Sequence, residues 1–516
     1  MDQADIVAFL ERPEAHGGAG PVERIDTHIS HVFLAGDHVW KLKRAVKLPY
    51  LDFSTPEKRR EACESELAIN RRTAPDLYRA VVPILRRADG ALAVGADAKG
   101  AGTPVDWVVV MRRFDQSFLF DKMAERGALS EATVIAAVQA IAAFHAKAER
   151  ADGGAETLAR IIAGNRASVA RAAVPRPLDA ARAEALHAAS EACLERLRAV
   201  LDRRGAAGLV RDGHGDLHLR NICLIDGQPV LFDAIEFNPR FRRIDVFYDF
   251  AFLLMALLHR GLSAHAALAL EAYVAATGDV AGLETLPLFL AVRAIIRGHI
   301  EATQAQGEKG TAAHWAESAD YFRLAETALA PPKPVLLAAG GLSGSGKSTV
   351  AKAIAPRLGA LPGALLLRSD VVRKRLAGVA PDERLPENCY TPEWTARVYA
   401  KLLQDAGAAL AAGHAVIADA VSGDTAQRGA LEDVARRRGV PFIGLWLEAP
   451  LPVRVARVGA RTGDASDAGV SVARQQKEPH DAELRWRRID AGGSLSETIA
   501  RVETAMAAAG TPLRGA

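Results

Sequence analysis

The stretch GLSGSGKST occupies residues 341–349, between an apolar run at 335–339 and the helix-forming run TVAKAIAPRL. It contains the full pattern Gly-x-x-x-x-Gly-Lys-Ser, in the strand–loop–helix context of a phosphate-binding loop. In such a loop the backbone N–H groups surround phosphate oxygens, the lysine reaches the β- and γ-phosphates, and the serine ligates Mg²⁺. We therefore expect an ATP site formed by Gly341, Ser343, Gly344, Ser345, Gly346, Lys347, Ser348 and Thr349.

The sequence after residue 334 alternates short apolar runs with helical ones. VLLAAG, ALLLRSD, AVIADA and FIGLWLEA are the apolar runs, and this alternation predicts a doubly wound parallel sheet. Ligands bind at the carboxyl ends of such strands. Asp419 at one strand end is thus a candidate metal-shell carboxylate. Asp370 at another is a candidate base or hydroxyl-binding group for the acceptor, with Arg373 one helical turn away; either aspartate also fits an ordinary helix cap.

Three arginines follow the last apolar run. Arg454, Arg457 and Arg461 are three and four residues apart, which places them on one face of a helix. They are candidate catalytic residues that close over the phosphates and neutralise charge in the transition state. A solvated basic face is the alternative interpretation. Together with the phosphate loop, these residues resemble the small-molecule kinase branch of P-loop proteins, such as gluconate kinases, chloramphenicol phosphotransferases and zeta toxins, over roughly 335–505.

A second motif lies in HGDLHLRNICLIDGQPVLFD, residues 214–233. Asp216 and Asn221 have the Asp-x-x-x-x-Asn spacing of a kinase catalytic loop. The following residues predict a hairpin that turns at Asp226-Gly227 and delivers Asp233 at a strand end. A polar turn and a hairpin without catalytic function would be the alternative.

This motif resembles the aminoglycoside phosphotransferase-like branch of the kinase fold. The resemblance implies Asp216 as the catalytic base, and Asn221 and Asp233 as metal ligands. It also implies a helix in RRIDVFYDFAFL that braces the catalytic loop, through Asp249 or Asp245.

A kinase-like nucleotide lobe needs a strand lysine paired with a helix glutamate. HISHVFLAGDHVWKLKR predicts two strands joined at Gly36-Asp37, and a helix capped by Ser54 or Thr55 follows. Lys41 and Lys43 share one face of the second strand, and the partner is Glu66 or Glu64; we favour Lys41 and Glu66. No Gly-x-Gly-x-x-Gly loop precedes these strands. In this respect the sequence departs from the kinase pattern, in which such a loop covers the phosphates of ATP.

The remaining features set the broad class. A chain of 516 residues is too long for a single hydrophobic core, so we expect more than one domain. The proline-rich APPKPV indicates a linker between domains. We expect a kinase-like domain at 1–330, a linker at 331–334 and a P-loop domain at 335–516. A net charge of +3 gives no reason to expect nucleic acid. Four separated cysteines, no signal peptide and no apolar run of about 20 residues favour a cytoplasmic protein without membrane segments.

The sequence thus predicts a mixed α/β and α+β protein: a bilobal protein-kinase-like domain followed by a P-loop domain with a doubly wound parallel sheet. The predicted function is ATP- and Mg²⁺-dependent phosphoryl transfer to a hydroxyl of a small molecule. The alternatives are a P-loop kinase regulated by an N-terminal pseudokinase, a toxin-like ATP-binding module acting on a macromolecule, and a polynucleotide kinase. The acceptor and the oligomeric state do not follow from the sequence.

Overall fold

The structure is a computed structural model that describes residues 3–18, 20–48, 51–95, 102–307, 310–380, 383–461, 465–478 and 484–514. The chain divides into two compact units. The first unit comprises Met1–Thr157 and Asp202–Leu253, and the second comprises Leu158–Leu201 and Leu254–Ala516. The second unit therefore includes helical residues on both sides of the proposed linker, and the boundary at 331–334 stays a prediction.

The elements alternate between sheets and helices along the chain. The helices are α1 Gln3–Leu10, α2 Pro56–Asn70, α3 Phe120–Glu125, α4 Glu131–Lys147, α5 Ala155–Ala172, α6 Ala180–Ala206, α7 Val246–His259, α8 Ser263–Thr277, α9 Leu286–Gln306, α10 Ala312–Leu329, α11 Lys347–Ile354, α12 Ser369–Ala377, α13 Pro392–Ala411, α14 Thr425–Arg438, α15 Leu451–Gly459, α16 Val470–Gln475 and α17 Leu495–Ala508. The strands are β1 Glu23–Asp26, β2 Ser30–Ala35, β3 His38–Lys43, β4 Lys47–Leu48, β5 Leu51–Asp52, β6 Tyr78–Arg87, β7 Leu92–Val94, β8 Gly102–Arg112, β9 Val210–Asp212, β10 Ile222–Ile225, β11 Gln228–Leu231, β12 Arg243–Asp245, β13 Leu336–Gly340, β14 Leu365–Arg368, β15 Val416–Asp419, β16 Phe442–Glu448 and β17 Arg487–Asp490.

The first unit contains a six-stranded sheet in the order β1-β2-β3-β8-β6-β7, and each neighbouring pair is antiparallel. Side chains alternate across this sheet, so Phe33 and Val108 pack on one face while Leu34 and Val109 pack on the other. Helix α1 contributes to the first cluster and α2 to the second. The sheet is therefore buried on both faces, and α2 is held against it.

Three local predictions for this unit are confirmed. Strands β2 and β3 form the expected hairpin, and β10 and β11 form the second one. Helix α2 begins after Thr55, whose Oγ1 accepts a hydrogen bond from the Lys58 N–H at 3.4 Å, with Pro56 in the first turn. These signals are local, so they act without help from tertiary contacts.

The second unit contains the predicted parallel sheet, with five strands in the order β14-β15-β13-β16-β17. Strand β13 lies between β15 and β16, so the connections leave it in opposite directions and create a crevice at its carboxyl end. The four predicted strands are confirmed. Strand β17 was not predicted, because three of its four residues, Arg487, Arg488 and Asp490, are charged. Among the described residues, none of the helices has the length and apolar character needed to cross a bilayer.

A buried ion pair ties α2 to the sheet of the first unit. The Nε and Nη2 of Arg59 each donate to Asp106 at 2.8 Å, and both side chains are buried. We expect Asp106→Ala to lower the free energy of unfolding of this unit by about 3–5 kcal/mol, because it leaves the guanidinium buried without its partner. Urea unfolding followed by amide hydrogen exchange of β8 measures the change. The exposed Asp152, changed to Ala, is the control; equal losses in the two variants would refute the argument.

Candidate functional site

The first candidate site is organised by Lys41 on β3. Its Nζ lies 2.7 Å from Oε1 of Glu66 on α2 and 2.6 Å from Oδ1 of Asp233, which follows β11. Asp233 has a φ of 60°, and its backbone N–H donates to the hydroxyl of Tyr78 at 3.2 Å. The structure thus brings together the favoured lysine, the favoured glutamate and the aspartate expected to bind metal.

Lys43, the alternative lysine, lies deeper than Lys41. Its Nζ is 2.5 Å from Oε2 of Glu66, and it also forms an ion pair with Glu236. Lys43 is fully buried, whereas the Lys41 side chain remains 13% exposed. Glu64 is exposed and pairs with Arg60 on its own helix at 2.8 Å. Of the two lysines, Lys41 is the one that connects the helix glutamate to Asp233, and Glu66 contacts both.

The charges in this cluster stabilise one another against desolvation. Burial alone disfavours the ammonium form of Lys41, but Asp233 and Glu66 outweigh it and raise the pKa of Lys41 well above its ordinary value. Burial alone would also raise the pKa of Glu66, yet the two facing lysines lower that pKa to about 2. Lys41 and Glu66 are therefore both charged at neutral pH.

The predicted catalytic loop packs beside this cluster. Asn221 donates through Nδ2 to the backbone oxygen of Asp216 at 2.9 Å and to its Oδ2 at 3.0 Å. Asp249 accepts the backbone N–H groups of His214 at 2.7 Å and Gly215 at 3.0 Å. Asp249 is thus the aspartate that braces the loop.

The alternative bracing residue, Asp245, lies elsewhere. Its carboxylate pairs with Arg204, at 2.6 Å and 2.8 Å. This bidentate pair is buried and leaves Asp245 engaged by a helix rather than by the catalytic loop.

The turn between β1 and β2 lies at the edge of the six-stranded sheet, and no sequence motif marks it. Thr27 Oγ1 accepts the Ser30 N–H at 2.9 Å, and Arg44 Nη1 donates to the Thr27 backbone oxygen at 2.9 Å. His28 lies between these residues. Burial lowers the pKa of His28, although the charges of Asp216 and, more weakly, Asp233 oppose this effect. Gly36, at the predicted hairpin turn, lies in the next turn along the chain.

The second candidate site surrounds the phosphate loop between β13 and α11. Ser348 donates through Oγ to Oδ2 of Asp419, at the end of β15, at 2.5 Å. Lys347 donates to the Leu342 backbone oxygen at 3.0 Å. Gly344 has a φ of 85°, and a Cβ there would lie 2.5 Å from the backbone oxygen of Arg454. That position therefore admits only glycine.

The acceptor side of this site contains Asp370 at the start of α12. Burial raises its pKa, while a hydrogen bond from Ser466 opposes the rise. Arg373, one turn further, donates to the Cys389 backbone oxygen at 2.7 Å and lies 5.0 Å over the ring of Tyr390. The charges of both residues act on the hydroxyls of Tyr390 and Tyr399.

The three arginines on α15 and just after it contact different parts of the site. Arg454 is buried, and its Nη1 donates to the Ala473 backbone oxygen at 3.2 Å. Burial lowers the pKa of Lys347, and the nearby charges of Arg461 and Arg454 lower it further against the effect of the carboxylates. Arg457 instead donates to the backbone oxygens of Ala491 at 2.9 Å and Gly493 at 3.0 Å. Two of the arginines therefore lie near Lys347, and Arg457 connects α15 to the residues after β17.

Sequence reasoning missed several residues at this site. Gln476 accepts the Ser343 N–H of the phosphate loop through Oε1 at 2.7 Å. Arg368, at the end of β14, places its Nε 3.6 Å from Oδ2 of Asp419. Asp467 accepts a hydrogen bond from Tyr390 at 2.5 Å. Arg368 was detectable as a charged residue at a strand end, whereas Gln476 and Asp467 belong to no motif.

A family model described as an AAA domain matches residues 336–482. The match contains the phosphate loop, Asp370, Asp419 and the arginines of α15. It confirms the prediction that the chain carries a P-loop nucleotide-binding domain after the proline-rich segment.

Several known proteins are similar to this chain. An uncharacterized protein of Mycobacterium tuberculosis (strain ATCC 25618 / H37Rv) is 29% identical over 494 residues, which cover 92% of this chain and 93% of that protein. The adenylyl-sulfate kinase of Myxococcus xanthus (strain DK1622) is 33% identical over 120 residues, 23% of this chain and 59% of that protein. Among solved structures, a choline/ethanolamine kinase family protein from Mesorhizobium loti matches with a TM-score of 0.38 and 14% identity, covering 64% of this chain and 95% of that one.

The depressed pKa of Glu66 predicts a pH-dependent contribution to stability. An unfolded glutamate titrates near pH 4.3, so Glu66 contributes roughly 3 kcal/mol above that pH, and the contribution is lost as the pH falls towards 2. We expect Glu66→Gln to be less stable than the wild type at neutral pH, with the gap narrowing as the pH is lowered. Urea titrations of the full chain between about pH 7 and pH 3 measure this gap.

Glu64→Gln is the matched control, because Glu64 lies on the same helix but is exposed. It should leave both the stability and its pH dependence unchanged. A gap for Glu66→Gln that stays constant over this pH range would contradict the assigned ionisation.

Proposed function

We propose that the protein is an ATP-dependent phosphotransferase with one nucleotide site in residues 1–330 and another in 335–516. At least one site transfers the γ-phosphoryl group to a hydroxyl of a small molecule. The observation that carries this proposal is the Ser348–Asp419 hydrogen bond of 2.5 Å beside Lys347, inside a phosphate loop that the AAA domain model matches. These are the groups that hold nucleotide phosphates and their metal ion in P-loop kinases.

The oxygen donors at both sites suit Mg²⁺, which prefers carboxylate, hydroxyl and amide oxygens. Ser348 and Asp419 would hold it in the C-terminal half, and Asn221 and Asp233 in the N-terminal half. When bound, Mg²⁺ would offset the negative charge of the nucleotide phosphates. An Nε of Arg454 that is buried without a hydrogen-bond partner among the described residues supports phosphate binding at the same place.

In the C-terminal half, Asp370 is the proposed base. The acceptor oxygen attacks the γ-phosphorus, the bond from that phosphorus to the β,γ-bridging oxygen breaks, and ADP leaves. The hydroxyl proton passes to the Asp370 carboxylate, whose pKa is raised by burial. Lys347, Arg454 and Arg461 stabilise the charge on the transferring group.

In the N-terminal half, Asp216 has the corresponding role. Asn221 donates to its carboxylate and its backbone oxygen, which fixes the direction in which Asp216 faces an acceptor hydroxyl. Lys41 is held by Glu66 and Asp233 in a position from which it can also bind phosphate oxygens. Positioning and charge neutralisation are what phosphoryl transfer chiefly requires.

Three features support a small-molecule acceptor and a location in the cytoplasm. One relative is named an adenylyl-sulfate kinase, and its name gives a small molecule as the acceptor. The four cysteines of this chain are buried and unpaired, which is typical of a reducing compartment. A net charge of +3 provides no field for binding nucleic acid.

The test is product formation from γ-labelled ATP and a set of small-molecule alcohols, measured for the full chain and for Asp216→Asn and Asp370→Asn. We expect each substitution to abolish or reduce by about 10²–10⁴-fold the transfer carried out by its own half, because a positioned base contributes that much. Asp226→Asn and Asp433→Asn are controls, because both residues are exposed on the surface of their respective halves.

The pattern of losses distinguishes the alternatives. Transfer that needs only Asp370 would make the N-terminal half a binding or regulatory domain. Transfer that survives in the double variant Asp216→Asn/Asp370→Asn would refute both assigned bases.

A further inference from the structure

A segment of the second unit crosses the phosphate-loop site, and we call it the strap. The name covers the described residues 465–478, which include the short helix α16. Three positions along it, Asp467, Ala473 and Gln476, each bond to a different part of the site. The strap therefore bears on what the site binds.

The start of the strap is fixed on the acceptor side. Asp467 accepts hydrogen bonds from the hydroxyl of Tyr390, from the Leu385 N–H at 3.1 Å and from Nζ of the buried Lys374 at 3.2 Å. Its neighbour Ser466 hydrogen-bonds to Asp370. The strap thus begins at the carboxylate proposed to receive the acceptor proton.

The middle of the strap is held by the phosphate-binding arginine. Arg454 donates through Nη1 to the backbone oxygen of Ala473, on α16, at 3.2 Å, and Ala473 is fully buried. This contact couples the position of α16 to the guanidinium that lies near Lys347.

The end of the strap reaches the loop itself. Oε1 of Gln476 accepts the backbone N–H of Ser343 at 2.7 Å. Two residues further, Glu478 accepts from Nε1 of Trp446 on β16 at 3.3 Å. These two contacts attach this part of the strap to the phosphate loop and to β16, with the side-chain oxygen of Gln476 on the loop.

A glutamine amide has an acceptor at one end and two donors at the other. Because Oε1 accepts the Ser343 N–H, the two Nε2 donors lie on the side of the amide away from that N–H, and none of the described residues accepts a hydrogen bond from them. The strap contacts Asp370 through Ser466 and the loop residue Ser343 through Gln476. During transfer, the group that lies between an acceptor base and a phosphate loop is the terminal phosphate. A neutral N–H donor there suits an anion.

We propose that Gln476 binds the γ-phosphate of ATP through Nε2 while Oε1 stays on the Ser343 N–H, so that the strap makes the C-terminal site prefer ATP over ADP. The inference rests on the phosphotransferase function proposed above. It adds a nucleotide-binding residue that lies outside the phosphate loop and the arginine helix.

Two substitutions separate phosphate binding from loop support. Gln476→Glu keeps an oxygen that can accept the Ser343 N–H, but it removes the donors and adds a negative charge. Gln476→Ala removes both functions. Gln475→Glu and Gln475→Ala are matched controls, because Gln475 is the adjacent residue of α16 and is exposed.

The measurement is calorimetric binding of Mg²⁺ with ADP and with the β,γ-imido analogue of ATP. It uses the full chain carrying Asp233→Ala, so that the C-terminal site is observed alone. We expect Gln476→Glu and Gln476→Ala to weaken the ATP analogue about tenfold or more, as for a lost hydrogen bond to a charged group, and to change ADP affinity far less. Both Gln475 variants should bind like their parent.

Equal weakening of both nucleotides, or full affinity retained in Gln476→Glu, would show that Gln476 only supports the loop. Tighter binding of the ATP analogue by Gln476→Ala would show that the amide competes with phosphate. Each of these results overturns the inference and leaves the proposed function standing. A parent protein that binds neither nucleotide would refute the proposed function of this half, and the inference would fall with it.

Discussion

The contact on which the N-terminal site depends is the double ion pair of Lys41 with Glu66 and Asp233. It joins a strand, a helix and a hairpin end that lie far apart in the sequence. An ammonium group removed from water is costly unless opposite charges surround it, and here two carboxylates do so at 2.6–2.7 Å. Lys43 is also removed from water, and it forms ion pairs with both Glu66 and Glu236. The position of α2 on its sheet and the position of the catalytic hairpin are therefore fixed by one network of charges.

The C-terminal site also places opposite charges close together, but it does so at the ends of a parallel sheet. Its parallel strands end in a crevice, where Asp419 meets the Ser348 hydroxyl and Arg368. Two carboxylates, Asp419 and Asp370, and two arginines, Arg461 and Arg454, act on Lys347, and burial is the largest cause of the lowered pKa of that lysine. Both halves thus combine fixed cations with a carboxylate on the acceptor side, on unrelated folds, and this supports two phosphoryl-transfer sites in one chain.

The sequence predicted what local patterns and spacing control. The phosphate loop, the hairpins and the Thr55 cap were all readable, because each depends on neighbouring residues. The choice between Lys41 and Lys43 was not, since both share one face of β3 and their difference comes from distant acids. Gln476 was not readable either, because its function depends on a long-range contact with a backbone N–H of the loop. Strand β17 was not predicted because most of its residues are charged, and its pairing with β16 is a tertiary contact that the local sequence does not indicate.

The central claim is that the chain has two nucleotide sites, and the direct measurement is the stoichiometry of Mg·ATP binding by calorimetry. The wild type, Lys347→Ala and Asp233→Ala should be compared as full chains. We expect two sites in the wild type and one in each variant, because each substitution removes a different phosphate or metal contact. A single site in the wild type, lost with Lys347→Ala and unchanged in Asp233→Ala, would contradict the account and leave the N-terminal half without a nucleotide.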